Sequence, residues 1–211
     1  MQTKQLIIFD MDGTLIDSGD VIANTINYVR SNIGLTNIPK DEMLYQINNP
    51  DINAAEFFYG TKEFTKEQTI LFSEYYNKNC IKDITLYDGI KNMLENINGE
   101  FQLSIATNAS VEFANKMIKH LEIDKYFDLV IGANDVKNPK PHPDMIFKTL
   151  ERLEKQSQYS LLVGDSHKDL QAANSADVDN ILVNWGFTKH QNDANVILNA
   201  DELTNRLLSY K

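Results

Sequence analysis

The tightest constraint on what this chain can fold into is the run Leu6-Ile7-Ile8-Phe9 and the way it ends, in Asp10-Met-Asp-Gly-Thr14. Four apolar residues bounded by turn formers read as a buried strand. The carboxyl end of such a strand is where open α/β sheets gather their ligands. Asp10 and Asp12 lie two positions apart and repel each other when both are ionised, and a divalent cation is the usual offset. A calcium loop starting at Asp10 is excluded by count, because its fifth position would be Thr14 and its twelfth Val21.

Four further apolar runs repeat the strand signal, at 101–106, Leu129–Ile131, 161–163 and 181–183. Helical patterns lie between most of them. Ile90, Met93, Leu94 and Ile97 fall at i, i+3, i+4, i+7, with Asp88 the expected N-cap. Val111, Ala114, Ile118 and Leu121 form a second stripe. Pro143 suits a first helical position, with Ile146, Leu150 and Leu153 behind it. Leu170, Ala173 and Ala176 form the last. Strands alternating with helices predict a parallel sheet with right-handed crossovers.

One gap interrupts the alternation. About 90 residues separate the first and second runs, far more than an ordinary connection. Ile22, Ile26, Val29 and Ile33 make a helical stripe there. Thr65-Lys-Glu-Gln68 is a capping-box signature ahead of Leu71, Phe72, Tyr75 and Tyr76. The expected organisation is an α/β core of residues 1–15 and 85–211, with a helical insert of residues 16–84.

The 211 residues carry 42% hydrophobic and 24% charged side chains, enough apolar material for a sizeable core. A formal net charge of −10 argues against non-specific binding to nucleic acid or to anionic membranes. It also requires a local positive site for any anionic substrate. Cys80 is the single cysteine, so no internal disulfide forms, and it reads as a small packing residue. No apolar stretch of about 20 residues spans a membrane. The first residues do not resemble a signal peptide, and a cytoplasmic location is expected.

Chemistry-bearing residues recur at the other strand ends. The second run leads into Thr107-Asn108, which could accept a phosphate oxygen or simply cap the next helix. Lys137-Asn-Pro-Lys-Pro-His-Pro143 is stiffened by three alternating prolines and holds Lys140 as a fixed countercharge. The fourth run ends in Gly164-Asp-Ser-His-Lys-Asp169. Asp165 and Asp169 could share a metal there, or serve as acids favoured in a first helical turn.

In this order, Asp10-Met-Asp-Gly-Thr14, Thr107-Asn108, Lys140-Pro-His-Pro143 and Gly164–Asp169 resemble the four motifs of the haloacid dehalogenase superfamily of phosphohydrolases. The likeness covers almost the whole chain and is closest to the branch of phosphoglycolate phosphatases and β-phosphoglucomutases. It implies a Rossmann-like core whose parallel sheet is flanked by helices, and a small α-helical cap domain inserted after the first motif. It also implies Asp10 as nucleophile, Asp12 as acid and base, and Mg2+ held by Asp10, the Asp12 backbone carbonyl and Asp165. Asp169 would be a further ligand or the partner of one. Lys140, Thr107, Asn108 and the backbone at Gly13 would bind the phosphoryl group.

The implied partner is a small phosphorylated metabolite, with 2-phosphoglycolate favoured and the protein a monomer or weak dimer. A sugar-phosphate mutase and a non-catalytic phosphate-binding module are the alternatives. A dehalogenase is disfavoured, since a displacement at carbon does not need Asp12. Two positions depart from the family pattern. Residues 45–53 lack the glycine that relatives often carry near Asn48 or Asn49, and Asp177 stands where glycine is common. Aspartate tolerates left-handed backbone, so the second change is expected to be harmless.

Overall fold

In a computed structural model that describes residues 3–190 and 196–211, the chain forms a six-stranded sheet, every neighbouring pair parallel, and a two-stranded ribbon. The elements run β1 Leu6–Phe9, β2 Ile16–Asp17, α1 Gly19–Asn32, α2 Lys40–Ile47, α3 Ala54–Tyr59, α4 Lys66–Asn79 and β3 Thr85–Leu86. They continue with α5 Ile90–Ile97, β4 Gln102–Ala106, α6 Val111–His120, β5 Leu129–Ile131, α7 Asp144–Arg152, β6 Ser160–Gly164, α8 His167–Ser175, β7 Asp179–Val183, β8 Val196–Ile197 and α9 Ala200–Leu208.

The strand order β5-β4-β1-β6-β7-β8 places β1 between β4 and β6. Phe9 pairs with Ile105 on one side and Val163 on the other. The chain therefore turns from one half of the sheet to the other at β1, which opens a crevice at its carboxyl end. The two faces of β1 are sorted by residue parity. Ile7 and Phe9 pack with Leu103, Ile105 and Leu161 beneath α5, α6 and α9, while Leu6 and Ile8 pack with Leu162 beneath α7 and α8. Burial on both faces is why β1 is apolar throughout rather than alternating.

The first crossover departs from the sheet. β2 and β3 pair antiparallel, bringing Ile16 opposite Leu86 and closing a stem from which α1 to α4 project. These helices have a small core of their own around Ala23, Ile26, Val29, Met43, Phe58 and Tyr59. Buried Arg30 ties it together by donating to the carbonyl oxygens of Thr36 (2.7 Å) and Phe58. The capping box at α4 is formed as expected, with Thr65 Oγ1 accepting from Gln68 N–H at 3.2 Å and Gln68 Oε1 accepting from Thr65 N–H at 2.9 Å. Tyr76, on the same helix, is buried against the main core and so joins the two packing units.

Three local expectations are corrected. Asp88 is not the N-cap of α5. Gly89 holds that position at φ 80°, because the chain enters the helix through left-handed backbone. Pro143 is the N-cap of α7 rather than its first residue. A sixth strand, β8, was not expected, because two residues are too few to give a periodic signal. Asp177 does take left-handed backbone, at φ 52°.

Gly89 also lies under α9, where an added Cβ would fall 2.9 Å from the Cβ of Ala200. Gly89→Ala is therefore expected to destabilise the fold by about 1–3 kcal/mol, from left-handed strain and the displaced helix. Urea unfolding would measure it, and an unchanged midpoint would contradict this account.

Candidate active site

The expected site residues lie at or beyond the carboxyl ends of the strands, so the sheet itself brings them together. Asp10 follows β1, Thr107 follows β4, Asp165 follows β6, and Asp169 lies in the first turn of α8. Lys140 comes from the proline-bounded loop between β5 and α7. Asn108 fixes that loop, with its Oδ1 accepting from the Lys140 N–H at 3.0 Å and its Nδ2 donating to the Lys140 carbonyl at 2.9 Å. The Asn108 side chain, expected at the phosphate, is thus bonded to both the N–H and the carbonyl of Lys140.

Lys140 is buried, and its Nζ lies 2.6 Å from Oδ1 of Asp10 and 2.6 Å from Oδ1 of Asp169. Burial alone would lower the pKa of this ammonium, but the two carboxylates reverse the shift and hold it above the ordinary lysine range. Asp169 has both oxygens engaged. Its Oδ2 accepts from the Ser166 N–H at 3.1 Å and from the Ser166 hydroxyl at 2.5 Å. It thus braces Lys140 and completes the capping box of α8 in one side chain. The two readings of Asp169 as site acid and as helix-turn acid are compatible.

Asp10 accepts a second bond at Oδ2 from the Thr14 hydroxyl, at 3.3 Å. Burial pushes its pKa up to about 7, with Lys140 pulling down and Asp169 and Asp12 pushing up. Asp12 has different surroundings. Its Oδ1 accepts from the Ser18 hydroxyl at 2.5 Å and its Oδ2 from the Thr107 hydroxyl at 3.4 Å. Burial raises its pKa too, and these hydroxyls offset only part of the shift. Ser18 had no sequence signal beyond its closeness to Asp12, because a serine before a helix reads as a cap. It precedes α1, yet its side chain makes no cap bond there.

Asp165 is almost completely buried, and burial raises its pKa as well. Its Oδ2 accepts from the N–H groups of Phe187 (2.8 Å) and Thr188 (3.4 Å), whereas its Oδ1 has no hydrogen-bond partner among the described residues. Gly13 makes room for it, since a Cβ there would fall 2.5 Å from Oδ2, and φ is 89°. Asp10, Asp165 and Asp169 each offer a carboxylate oxygen within 4.8 Å of the others. A buried carboxylate oxygen with no donor, inside a cluster of oxygen-only groups, fits a hard divalent cation such as Mg2+.

His142, Trp185 and Cys80 lie outside this cluster. The His142 side chain is 62% exposed and faces Asp144 at 3.5 Å. Trp185 Nε1 donates to the Thr14 carbonyl at 3.0 Å and its ring packs on the core. Cys80 is buried, and burial raises its thiol pKa, as suits a packing residue.

Comparison with known proteins places these motifs. The sequence profile described as haloacid dehalogenase-like hydrolase matches residues 7–183. The chain is 31% identical over 186 residues to a phosphoglycolate phosphatase of Aquifex aeolicus, covering 88% of this chain and 87% of that protein. It is 27% identical over 205 residues to the phosphoglycolate phosphatase of Escherichia coli, covering 86% and 81%. Among solved structures, a "predicted phosphatase" from Clostridium acetobutylicum superimposes with a TM-score of 0.88 at 22% identity, over 99% of this chain and 100% of that one.

The raised carboxylate pKa values make a measurable demand on stability without metal. Without metal, burial pushes the pKa of Asp10 in the folded chain up to about 7, against an unperturbed value of 3.8. Between those values the folded state holds more protons than the unfolded state, so stability falls as pH rises, by at most about 1.4 kcal/mol per pH unit for one such group. Asp12 and Asp165 shift in the same direction. In EDTA the Tm is expected to fall from pH 5.5 to 7.5, and excess Mg2+ at pH 7.5 to restore it. A flat or rising Tm in EDTA would refute the electrostatic account.

Proposed function

The chain belongs to the haloacid dehalogenase-like hydrolases and is a phosphatase of the phosphoglycolate phosphatase-like branch; we propose that it hydrolyses a small phosphorylated metabolite, 2-phosphoglycolate favoured, through an aspartyl phosphate on Asp10 with Mg2+ as cofactor. One observation carries the reading: two neighbouring aspartates have environments suited to opposite tasks. Asp10 is bonded to the Lys140 ammonium at 2.6 Å, which favours its anion against the upward push of burial and which a bound cation would reinforce, whereas Asp12 faces the hydroxyls of Ser18 and Thr107 and can keep a proton. Similarity to proteins named phosphoglycolate phosphatase supports the choice of substrate.

In this mechanism a carboxylate oxygen of Asp10 attacks phosphorus in line and the bond from phosphorus to the ester oxygen breaks. Asp12 gives its proton to the departing alkoxide. Asp12 then takes a proton from water, whose oxygen attacks phosphorus and releases inorganic phosphate and the Asp10 carboxylate. Lys140, the Thr107 hydroxyl and the backbone near Gly13 hold the non-bridging phosphoryl oxygens. Asn108 contributes by fixing Lys140. Asp10, the Asp12 carbonyl and Asp165 would hold Mg2+, with Asp169 acting through Lys140. When bound, Mg2+ supplies positive charge against the carboxylates and the phosphoryl oxygens. The helices of residues 16–84 act as a cap that covers the leaving group and excludes water.

Phosphate release from a panel of small esters, with and without Mg2+, tests this. Asp10→Asn is expected to abolish turnover, and Asp12→Asn to reduce kcat by about 10²–10⁴-fold while leaving metal affinity near normal. Release of phosphate by Asp10→Asn at the wild-type rate would reject the covalent route. A sugar phosphate rearranged without phosphate release would move the assignment to a mutase.

A further inference from the structure

The carboxylate cluster has one partner that comes from outside the parallel-sheet unit. Asn48 directly follows α2, in the stretch that departs from the family pattern. Its Nδ2 lies 3.0 Å from Oδ2 of Asp165 and 3.1 Å from Oγ1 of Thr188, so its two amide protons have one acceptor each. Oδ2 of Asp165 therefore accepts from the Asn48 side chain as well as from the backbone of Phe187 and Thr188. Oδ1 is left buried and without a donor. The two oxygens of a carboxylate are equivalent, so whichever one faces Asn48, Phe187 and Thr188 takes these bonds and the other is left for the cation. A neighbouring contact clamps the same loop, with Lys168 Nζ donating to the Ile47 carbonyl at 2.7 Å.

We infer that Asn48 is a positioning residue for Asp165. By donating to Oδ2 it leaves Oδ1 as the oxygen that takes the cation, and so it couples docking of the loop after α2 to occupancy of the cation site. The inference rests on the reading of Asp10 and Asp165 as Mg2+ carboxylates. Bonds of this kind, one step removed from the ion, commonly change metal affinity by about 10–100-fold when removed. The coupling runs both ways. If a docked loop favours the cation, the cation favours the docked loop by the same factor.

The test is calorimetric titration of the substrate-free full chain with Mg2+, comparing wild type, Asp165→Asn, Asn48→Ala and Lys168→Met. Limited proteolysis at residues 46–53, with and without Mg2+, accompanies it. Wild type is expected to bind and Asp165→Asn to lose binding. Asn48→Ala is expected to bind at least about tenfold more weakly while keeping its Tm in EDTA. Lys168→Met cuts the neighbouring clamp but keeps the Asn48 amide, and it is expected to weaken binding less than Asn48→Ala does. Mg2+ should slow cleavage of the loop in wild type and leave it unchanged in Asn48→Ala. Wild-type affinity in Asn48→Ala overturns this inference alone. Equal weakening in Lys168→Met assigns the effect to the clamp and overturns it too. Absence of Mg2+ binding by wild type overturns the metal reading and the inference together.

Discussion

A lysine ammonium placed between two buried carboxylates makes the rest of this site possible. Asp10, Asp165 and Asp169 come close enough for one oxygen of each to lie within 4.8 Å of the others, in surroundings where burial raises the pKa of Asp10 and Asp165. Without Lys140 the anions would have only hydroxyls, backbone N–H groups and the Asn48 amide to offset them. Its Nζ satisfies Asp10 and Asp169 at once, and breaking one side of such a pair leaves an uncompensated buried charge that costs about 3–5 kcal/mol. The loop that carries Lys140 is accordingly tied at its backbone by Asn108.

Charge balance also explains how the site divides its labour. The two acids of Asp10-Met-Asp12 share a chain segment but not an environment. One faces the ammonium and the carboxylate cluster, the other faces hydroxyls from Ser18 and Thr107. A strand end makes that separation natural. Backbone bonds from Thr14, Leu15 and Ile16 back to the Met11 carbonyl turn the chain sharply around Asp12, and Gly13 supplies the left-handed step. The same turn carries the chain into the β2–β3 stem, so the helices of residues 16–84 leave the sheet directly beside the reacting groups.

The correspondence between sequence and structure is close wherever a residue's role is set locally. All five apolar runs are strands of the sheet, and the capping box at Thr65 forms. Motif positions at strand ends converge because parallel strands in register align their carboxyl ends. Reading failed where the deciding contact lies far along the chain. Asp88 looked like a cap, but close approach to Ala200 and a positive φ gave the position to Gly89. Asn108 likewise finds its side-chain partner in the backbone of Lys140, 32 residues away, a contact that no local pattern announces.

What the sequence by itself determined is the α/β alternation, the helical insertion after the first strand and the set of polar residues at the strand ends. Each is written in short-range periodicity, turn chemistry or a contiguous motif, and needs no knowledge of distant neighbours. How those residues contact one another is a matter of packing: Lys140 bridges Asp10 and Asp169, Asp169 also closes the capping box of α8, and Asp165 keeps one oxygen without a donor among the described residues while Asn48, 117 residues away, holds the other. Those assignments depend on which side chains share a buried volume. Burial and the charges gathered within it are properties of the packed fold, so no local stretch of sequence carries them.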